Sequence, residues 1–206
     1  MFARMSVTAG GDVDYETTGH GYATRRRADP RIAAAIHAAL GDARNVLNVG
    51  AGAGSYEPAD RYVLAVEPSA RMREQRPPGA APALRAYAES LPFDDDSFDA
   101  VMATITVHQW SDPMRGLAEL RRVARAAVGV LTFDGDALDR FWLADYVPEL
   151  IVAERRRYPR IAAIAAALGE GTEVAEVPIP VDCTDGFAEA FYARPEQLLD
   201  PRVRAA

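Results

Sequence analysis

Between Val46 and Glu67 a short apolar run (Val46, Leu47, Val49) breaks into Gly50, Gly52 and Gly54, alternating with Ala51 and Ala53. A second apolar run, Tyr62 to Val66, ends on a single carboxylate, Glu67. A strand, a glycine turn and a second strand tipped by an acid make up the grip of an α/β fold on an adenosine. Glycine lacks Cβ, so the chain can turn at positive φ and a flat ligand can lie against it. The acid at the end of the next strand can accept hydrogen bonds from both ribose hydroxyls. A dinucleotide fingerprint would read Gly-x-Gly-x-x-Gly, whereas these glycines are evenly spaced and Ser55 holds the third-glycine position. Ser55 to Arg61, with Pro58, leaves room for about one helical turn before the second strand. The helix N-terminus that would hold a pyrophosphate is therefore stunted. An adenosine ligand without a pyrophosphate fits this stretch better than NAD.

The rest of the chain supplies the sheet. Ile32, Ile36 and Leu40 mark an amphipathic helix that Gly41 ends, with His37 beside its apolar stripe. Ser69 caps a short helix through Gln75, and Ala83 to Tyr87 reads as a third strand. Asp94, Asp95 and Asp96 lack the alternating ligands of a calcium loop and read as a solvated acidic turn, with no metal site. The fourth strand, Ala100 to Val107, leads into His108, Gln109 and Trp110. His108 thus falls at the carboxyl end of a central strand, where open α/β sheets hold their ligands. Asp112 and Pro113 begin a helix carrying Leu117 and Leu120, and Val128 to Phe133 is a fifth strand. Strands alternating with helices imply a three-layer, doubly wound, mostly parallel sheet.

Residues 136–168 are largely helical and contain Phe141, Trp142 and Tyr146, which read either as a lid over a substrate or as packing onto the sheet. Val174 to Val181, with Pro178 and Pro180, reads as an edge strand. The expected division is an arm over 1–30, a cofactor-binding core over 31–135, a helical lid insertion over 136–172, and an edge strand with tail over 173–206, all in one structural domain. In the arm, the run Arg25 to Arg27 reads as a solvated face or as a strap offering Tyr22 or an arginine to a ligand carboxylate.

A net charge of −7 argues against a nucleic-acid partner. One cysteine, Cys183, allows no internal disulfide. Met1 to Asp14 holds no apolar core of signal-peptide length and no run could span a bilayer, so a cytoplasmic protein is expected, as monomer or homodimer. Its 23 basic residues are all arginine, a usage typical of a GC-rich bacterial genome.

Four segments carry a family likeness in the right order: Leu47 to Gly54, Val66 to Ser69, Ala88 to Phe93 with Phe98-Asp99, and Thr104 to Trp110. On these the chain resembles the class I S-adenosylmethionine-dependent methyltransferases, in the small-molecule branch called the methyltransferase 11 type, over roughly 32–134. The resemblance implies a Rossmann-like core and S-adenosylmethionine as cofactor. It implies that Asn48, Gly50, Ala51, Gly52 and Gly54 line the methionine and ribose portion, and that Glu67 with Pro68 holds the ribose. Ala88 and Glu89 would edge the adenine, with Thr104 and His108 facing the methyl donor. His108 would be a general base, Trp110, Phe141, Trp142 and Tyr146 would contact a small-molecule acceptor, and Tyr22 would reach the cofactor. Asn48 stands where many relatives carry aspartate, and Tyr87 where an aspartate commonly reads the adenine amino group. The reversed last strand of the family is missing or atypical, unless Phe187 to Tyr192 supplies it. The implied reaction is in-line methyl transfer driven by alignment. The competing readings are a non-catalytic domain that keeps the fold, and an NAD(P)-dependent oxidoreductase.

Overall fold

The computed structural model describes residues 26–204. Within them the chain runs α1 (Pro30–Ala39), β1 (Asn45–Val49), β2 (Tyr62–Val66), α2 (Ala70–Glu74), β3 (Ala83–Leu84) and β4 (Phe98–Thr104). It continues through α3 (Pro113–Val123), β5 (Ala124–Leu131), α4 (Pro148–Arg157), α5 (Ile161–Leu168) and α6 (Pro201–Arg204). Every strand pair is parallel, in the order β3-β2-β1-β4-β5. The order reverses between β1 and β4, so their carboxyl ends open a crevice at the centre of the sheet.

Alternation along the two central strands feeds two cores. Leu47, Val49, Val101 and Ala103 face one way, against Leu117, Leu120 and Val123 of α3 and Ile164 and Leu168 of α5. Val46, Ala100 and Met102 face the other, against Ile32, Ile36 and Leu40 from the first helical segment and Cys183, Phe187 and Ala190 from the C-terminal segment. Near-continuous apolar strands are what a sheet covered on both faces requires.

Local signals set the helix starts. Ser69 Oγ accepts from Met72 N at 3.2 Å, and Asp112 Oδ1 from Arg115 N at 3.1 Å with Pro113 in the first turn. The connection from β1 to β2 contains turns and no helix. The acidic turn is pinned by Arg122, which donates to Asp95 Oδ1 at 2.9 Å.

Several expected boundaries move. The third strand shortens to two residues, and the fourth ends at Thr104, followed by a 3-10 turn over Val107–Gln109. The fifth begins at Ala124, directly after α3. Residues 174–181 form no strand: Pro178 and Pro180 lack the N–H a ladder needs, and no neighbouring strand lies beside them. Ala188–Phe191 is a 3-10 turn that buries Ala190 and Phe191, so it does not supply a reversed strand either. The expected helical insertion opens with 3-10 turns over Gly135–Arg140 and Trp142–Asp145 before α4, and its last helix, α5, packs on the sheet beside α3. Among the described residues, no helix is long and apolar enough to cross a membrane.

The C-terminal segment is tied to α1 by Asp29. Its buried carboxylate caps the helix by accepting from Arg31 N at 3.0 Å, takes Arg31 Nη2 at 2.8 Å, and accepts from Thr184 N at 3.1 Å. The Arg31 guanidinium chiefly holds this carboxyl well below the usual carboxylate range. Its stabilisation is therefore present above the unfolded pKa, near 3.9, and is lost as pH falls below that value. Asp29→Ala is expected to cost about 1–2 kcal/mol at neutral pH from the lost cap alone. Urea denaturation should show that gap narrowing in acid.

Candidate active site at the strand ends

The turn after β1 is held by the end of β2. Gly50 N and Ala51 N both donate to Val66 O, at 2.9 and 3.0 Å. Gly50 has φ +68°, and a Cβ there would overlap Thr106 Oγ1 and lie 2.9 Å from Thr106 Cβ. The turn after β1 and the turn after β4 thus touch, which only a glycine permits. Glu67 sits beneath this turn, 7% exposed. Its Oε2 accepts from Gly52 N and its Oε1 from Ser69 N, both at 2.8 Å. Burial pushes the carboxyl up, and these two backbone bonds pull it back. Each carboxylate oxygen has further lone-pair capacity for a ligand hydroxyl.

Asn48 is locked by a partner nine residues on. Its Nδ2 donates to Glu57 Oε1 at 3.0 Å, and Glu57 accepts from Arg76 Nη2 at 2.7 Å through its other oxygen. Arg76 also donates to Ala81 O at 2.9 Å and reaches Gly52 O at 3.4 Å. The Glu57–Arg76 side chains are almost fully buried. An aspartate at position 48 would set two carboxylates about 3 Å apart, a strongly unfavourable pair. Asparagine at this position is thus matched to Glu57, which places a carboxylate behind the turn from a different residue. A Cβ at Gly54, with φ +94°, would lie 3.2 Å from Arg76 and 3.3 Å from Glu57.

Around this turn lies a cleft lined by Asn48, Gly50, Ala51, Gly52, Glu67, Pro68, Ala88, Glu89, Thr104 and Trp110, together with Ser55, Tyr56, Met72, Tyr87, Thr106 and Gln109. Glu89 Oε1 accepts from Ser111 Oγ at 2.8 Å and Asp112 N at 3.1 Å, fixing this wall to the start of α3. Trp110 lies on Gly116, where a Cβ would come within 2.8 Å of its ring. Two polar atoms in the wall, Thr104 Oγ1 and Gln109 Oε1, are buried with no hydrogen-bond partner among the described residues. Such orphaned groups are costly unless a ligand completes them.

A second hollow of about 250 Å³ adjoins the cleft, sharing Arg26 and Ile105 with it. Ile105 has φ +52°, a strained conformation for a β-branched residue that costs roughly 1–3 kcal/mol. His108, Phe133, Phe141, Tyr158 and Phe187 supply its ring-bearing wall, with Glu154 and Glu189 beside them. His108 stacks on Tyr158 at 4.5 Å between ring centres. Arg26 is held by Asp185, donating at 2.6 and 3.2 Å, and Tyr56 Oη donates to the same carboxylate at 2.6 Å.

The family model for a methyltransferase domain matches residues 47–131. An Anabaena variabilis protein of solved structure, assigned as a methyltransferase of an antibiotic biosynthesis pathway, is 34% identical. The match covers 88% of this chain and 78% of that one, with a TM-score of 0.79. The chain belongs to the class I S-adenosylmethionine-dependent methyltransferases. An uncharacterized methyltransferase of Mycobacterium tuberculosis is 40% identical over 91 residues, 40% of this chain and 36% of that protein. A 2-methyl-6-phytyl-1,4-hydroquinone methyltransferase of Oryza sativa is 36% identical over 63 residues, 31% of this chain. The chain spans only 18% of that plant protein's length, and less than half of the other curated relatives it matches.

For this methyltransferase the cofactor is S-adenosylmethionine, and the cleft offers what it needs: a flat glycine floor, a buried acid and two orphaned polar atoms. The structure brings most of the expected cofactor residues to one cleft. Gly54 is not on its wall and serves the Glu57–Arg76 clamp. His108 lines the second hollow instead of the cleft: after β4 the chain turns into a 3-10 helix that carries the histidine. Trp110, expected at the acceptor, faces the cleft. Phe141 lines the second hollow, whereas Trp142 and Tyr146 line neither; they form an edge-to-face row with Phe141, and Tyr146 is 76% exposed. Tyr22 lies outside the described residues. Spacing alone did not point to Thr106, Gln109, Glu154 or Glu189.

Gly50→Ala is expected to lower both thermal stability and cofactor affinity, the latter by about tenfold or more, because the added methyl collides with Thr106 and sits at positive φ. Calorimetry with S-adenosylhomocysteine and a melt on the same variant check both effects. Glu189 gives a pH-dependent expectation. Burial pushes its carboxyl up to about 7, with Glu154 adding to the rise and Arg26 opposing it. The folded chain then binds this proton more tightly than the unfolded one, so stability falls as pH rises from the normal carboxyl range towards 7. Glu189→Gln removes that loss, so its melting temperature should gain on wild type by a few degrees between about pH 5 and pH 8. Equal differences at both values would contradict it.

Proposed function

We propose that this methyltransferase transfers the methyl group of S-adenosylmethionine to a small molecule held in the second hollow. The observation that carries the reading is the adjacency of two hollows at the switch point, with Arg26 and Ile105 lining both. One has a glycine floor and a buried acid, and the other is lined by rings. When bound, S-adenosylmethionine supplies an electrophilic methyl group on a sulfonium. Glu67 would accept the ribose hydroxyls, Ala88 and Glu89 would edge the adenine, and Thr104 with Gln109 would complete the polar contacts of the methionine end. The protein's task is to align acceptor and methyl group at near-attack distance, which is worth about 7–11 kcal/mol in favourable cases. His108, which lines the second hollow and stacks on Tyr158, would take a proton from an acceptor that must lose one.

The size of the hollow favours a molecule of one or two rings, and the net charge of −7 disfavours a nucleic-acid acceptor. The antibiotic-pathway assignment of the Anabaena relative agrees with a small metabolite. A cytoplasmic protein belongs to the same reading. Calorimetry should show S-adenosylmethionine binding at micromolar strength or better, with Glu67→Ala weakening it by about 10–100-fold through the lost charge-assisted hydrogen bonds. Absence of heat and of thermal shift with the wild type would refute cofactor binding. Release of S-adenosylhomocysteine across an acceptor panel tests turnover.

A further inference from the structure

The charges facing the second hollow are unevenly matched. Among the described residues, five titratable groups border it: Arg26, His108, Glu154, Tyr158 and Glu189. The cation, Arg26, is bound in two-point contact by buried Asp185 and stands 5.7 Å over the Phe187 ring. Glu154 accepts from Arg157 Nη1 at 2.7 Å, on its own helix. Glu189 has no ion pair or hydrogen bond to another side chain among the described residues; its own backbone N–H and, at longer range, Arg26 offset part of the effect of its burial, while Glu154 adds to it. Two carboxylates therefore share a wall with three phenylalanines and a tyrosine.

Resting on the reading of this hollow as the acceptor site, we infer that the acceptor is an amine on a flat apolar scaffold, its nitrogen set against Glu189 and Glu154 and its scaffold against Phe133, Phe141 and Phe187. A carboxylate or phosphate acceptor would meet two like charges. A neutral alcohol could donate one hydrogen bond to Glu189 but would bring no positive charge to the two carboxyl groups. An ammonium satisfies Glu189 and gains from the ring faces beside it.

The same carboxyl, pushed up to about 7 by burial, is matched to the proton an amine must shed before it can attack. The ammonium gives an N–H proton to the Glu189 carboxylate, which for an amine fills the base's role that a hydroxyl acceptor would leave to His108. The freed nitrogen lone pair forms the bond to the methyl carbon while the carbon–sulfur bond breaks, its electron pair staying on sulfur. The N-methylated ammonium leaves with the positive charge that the sulfonium lost, beside S-adenosylhomocysteine.

Three probes sharing the phenethyl group decide this: phenethylamine, phenethyl alcohol and hydrocinnamate, titrated by calorimetry into the full chain with and without saturating S-adenosylhomocysteine. The amine is expected to bind about 10–100-fold more tightly than the alcohol, the worth of one charge-assisted hydrogen bond, and hydrocinnamate most weakly. Glu189→Gln should abolish the amine's advantage while leaving the Kd of S-adenosylhomocysteine unchanged. Equal or tighter binding of the alcohol or the carboxylate overturns the inference, as does an amine preference that survives in Glu189→Gln or no binding of any probe. If that variant fails to fold, the order of the three affinities in the wild type decides by itself. Failure of S-adenosylhomocysteine itself to bind would instead strike the cofactor reading, and the order measured without it still decides the acceptor class.

Discussion

The approach of the Gly50 backbone to Thr106 fixes the geometry on which the rest of the site depends. Two parallel strands diverge at their carboxyl ends, and the turns that leave them meet without room for a single methyl group. That contact sets the depth of the crevice and brings Gly52 N over the Glu67 carboxylate. It also keeps Thr104 and Gln109 in the same wall as the glycine floor. The sheet in turn requires two covered faces, which α3 and α5 supply on one side and α1 with the C-terminal segment on the other.

Charge inside this framework is arranged in linked pairs. Asn48, Glu57 and Arg76 form one chain, and Tyr56, Asp185 and Arg26 form another. Both run from the glycine loop to sequence far away, so the loop is held by buried polar contacts in place of a following helix. Breaking one partner of such a pair leaves the other buried and uncompensated, which costs more than the pair contributes when whole.

What could be read from the sequence was local. Tyr62–Val66 forms the strand its apolar run implies, and Ser69, Asp112 and Pro113 start helices where short-range capping chemistry puts them. The family's ordered segments located the cleft because each lies at a strand end. What escaped depended on distance in the chain. Glu189 meets Glu154 and His108 across a hollow whose residues span more than eighty positions, and no periodicity marks that. Asn48 looked like a lost charge because its partner Glu57 is a matter of folding, not spacing. Trp142 and Tyr146 showed that a run of aromatics announces burial or stacking without giving its direction. Residues 174–181 had strand-like composition but no neighbour to pair with, and two prolines among them.

Ile105 lines both hollows, and it does so in a conformation that glycine or asparagine would adopt with less strain. Local relaxation and compartment separation therefore pull in opposite directions at one residue. A smaller or more polar side chain there would relieve the strain and widen the space at the junction of the two hollows. A larger shared chamber would admit bulkier acceptors while holding each less firmly against the methyl donor. On the proposed reading of the second hollow, breadth of substrate range and sharpness of alignment would be coupled through a single backbone torsion.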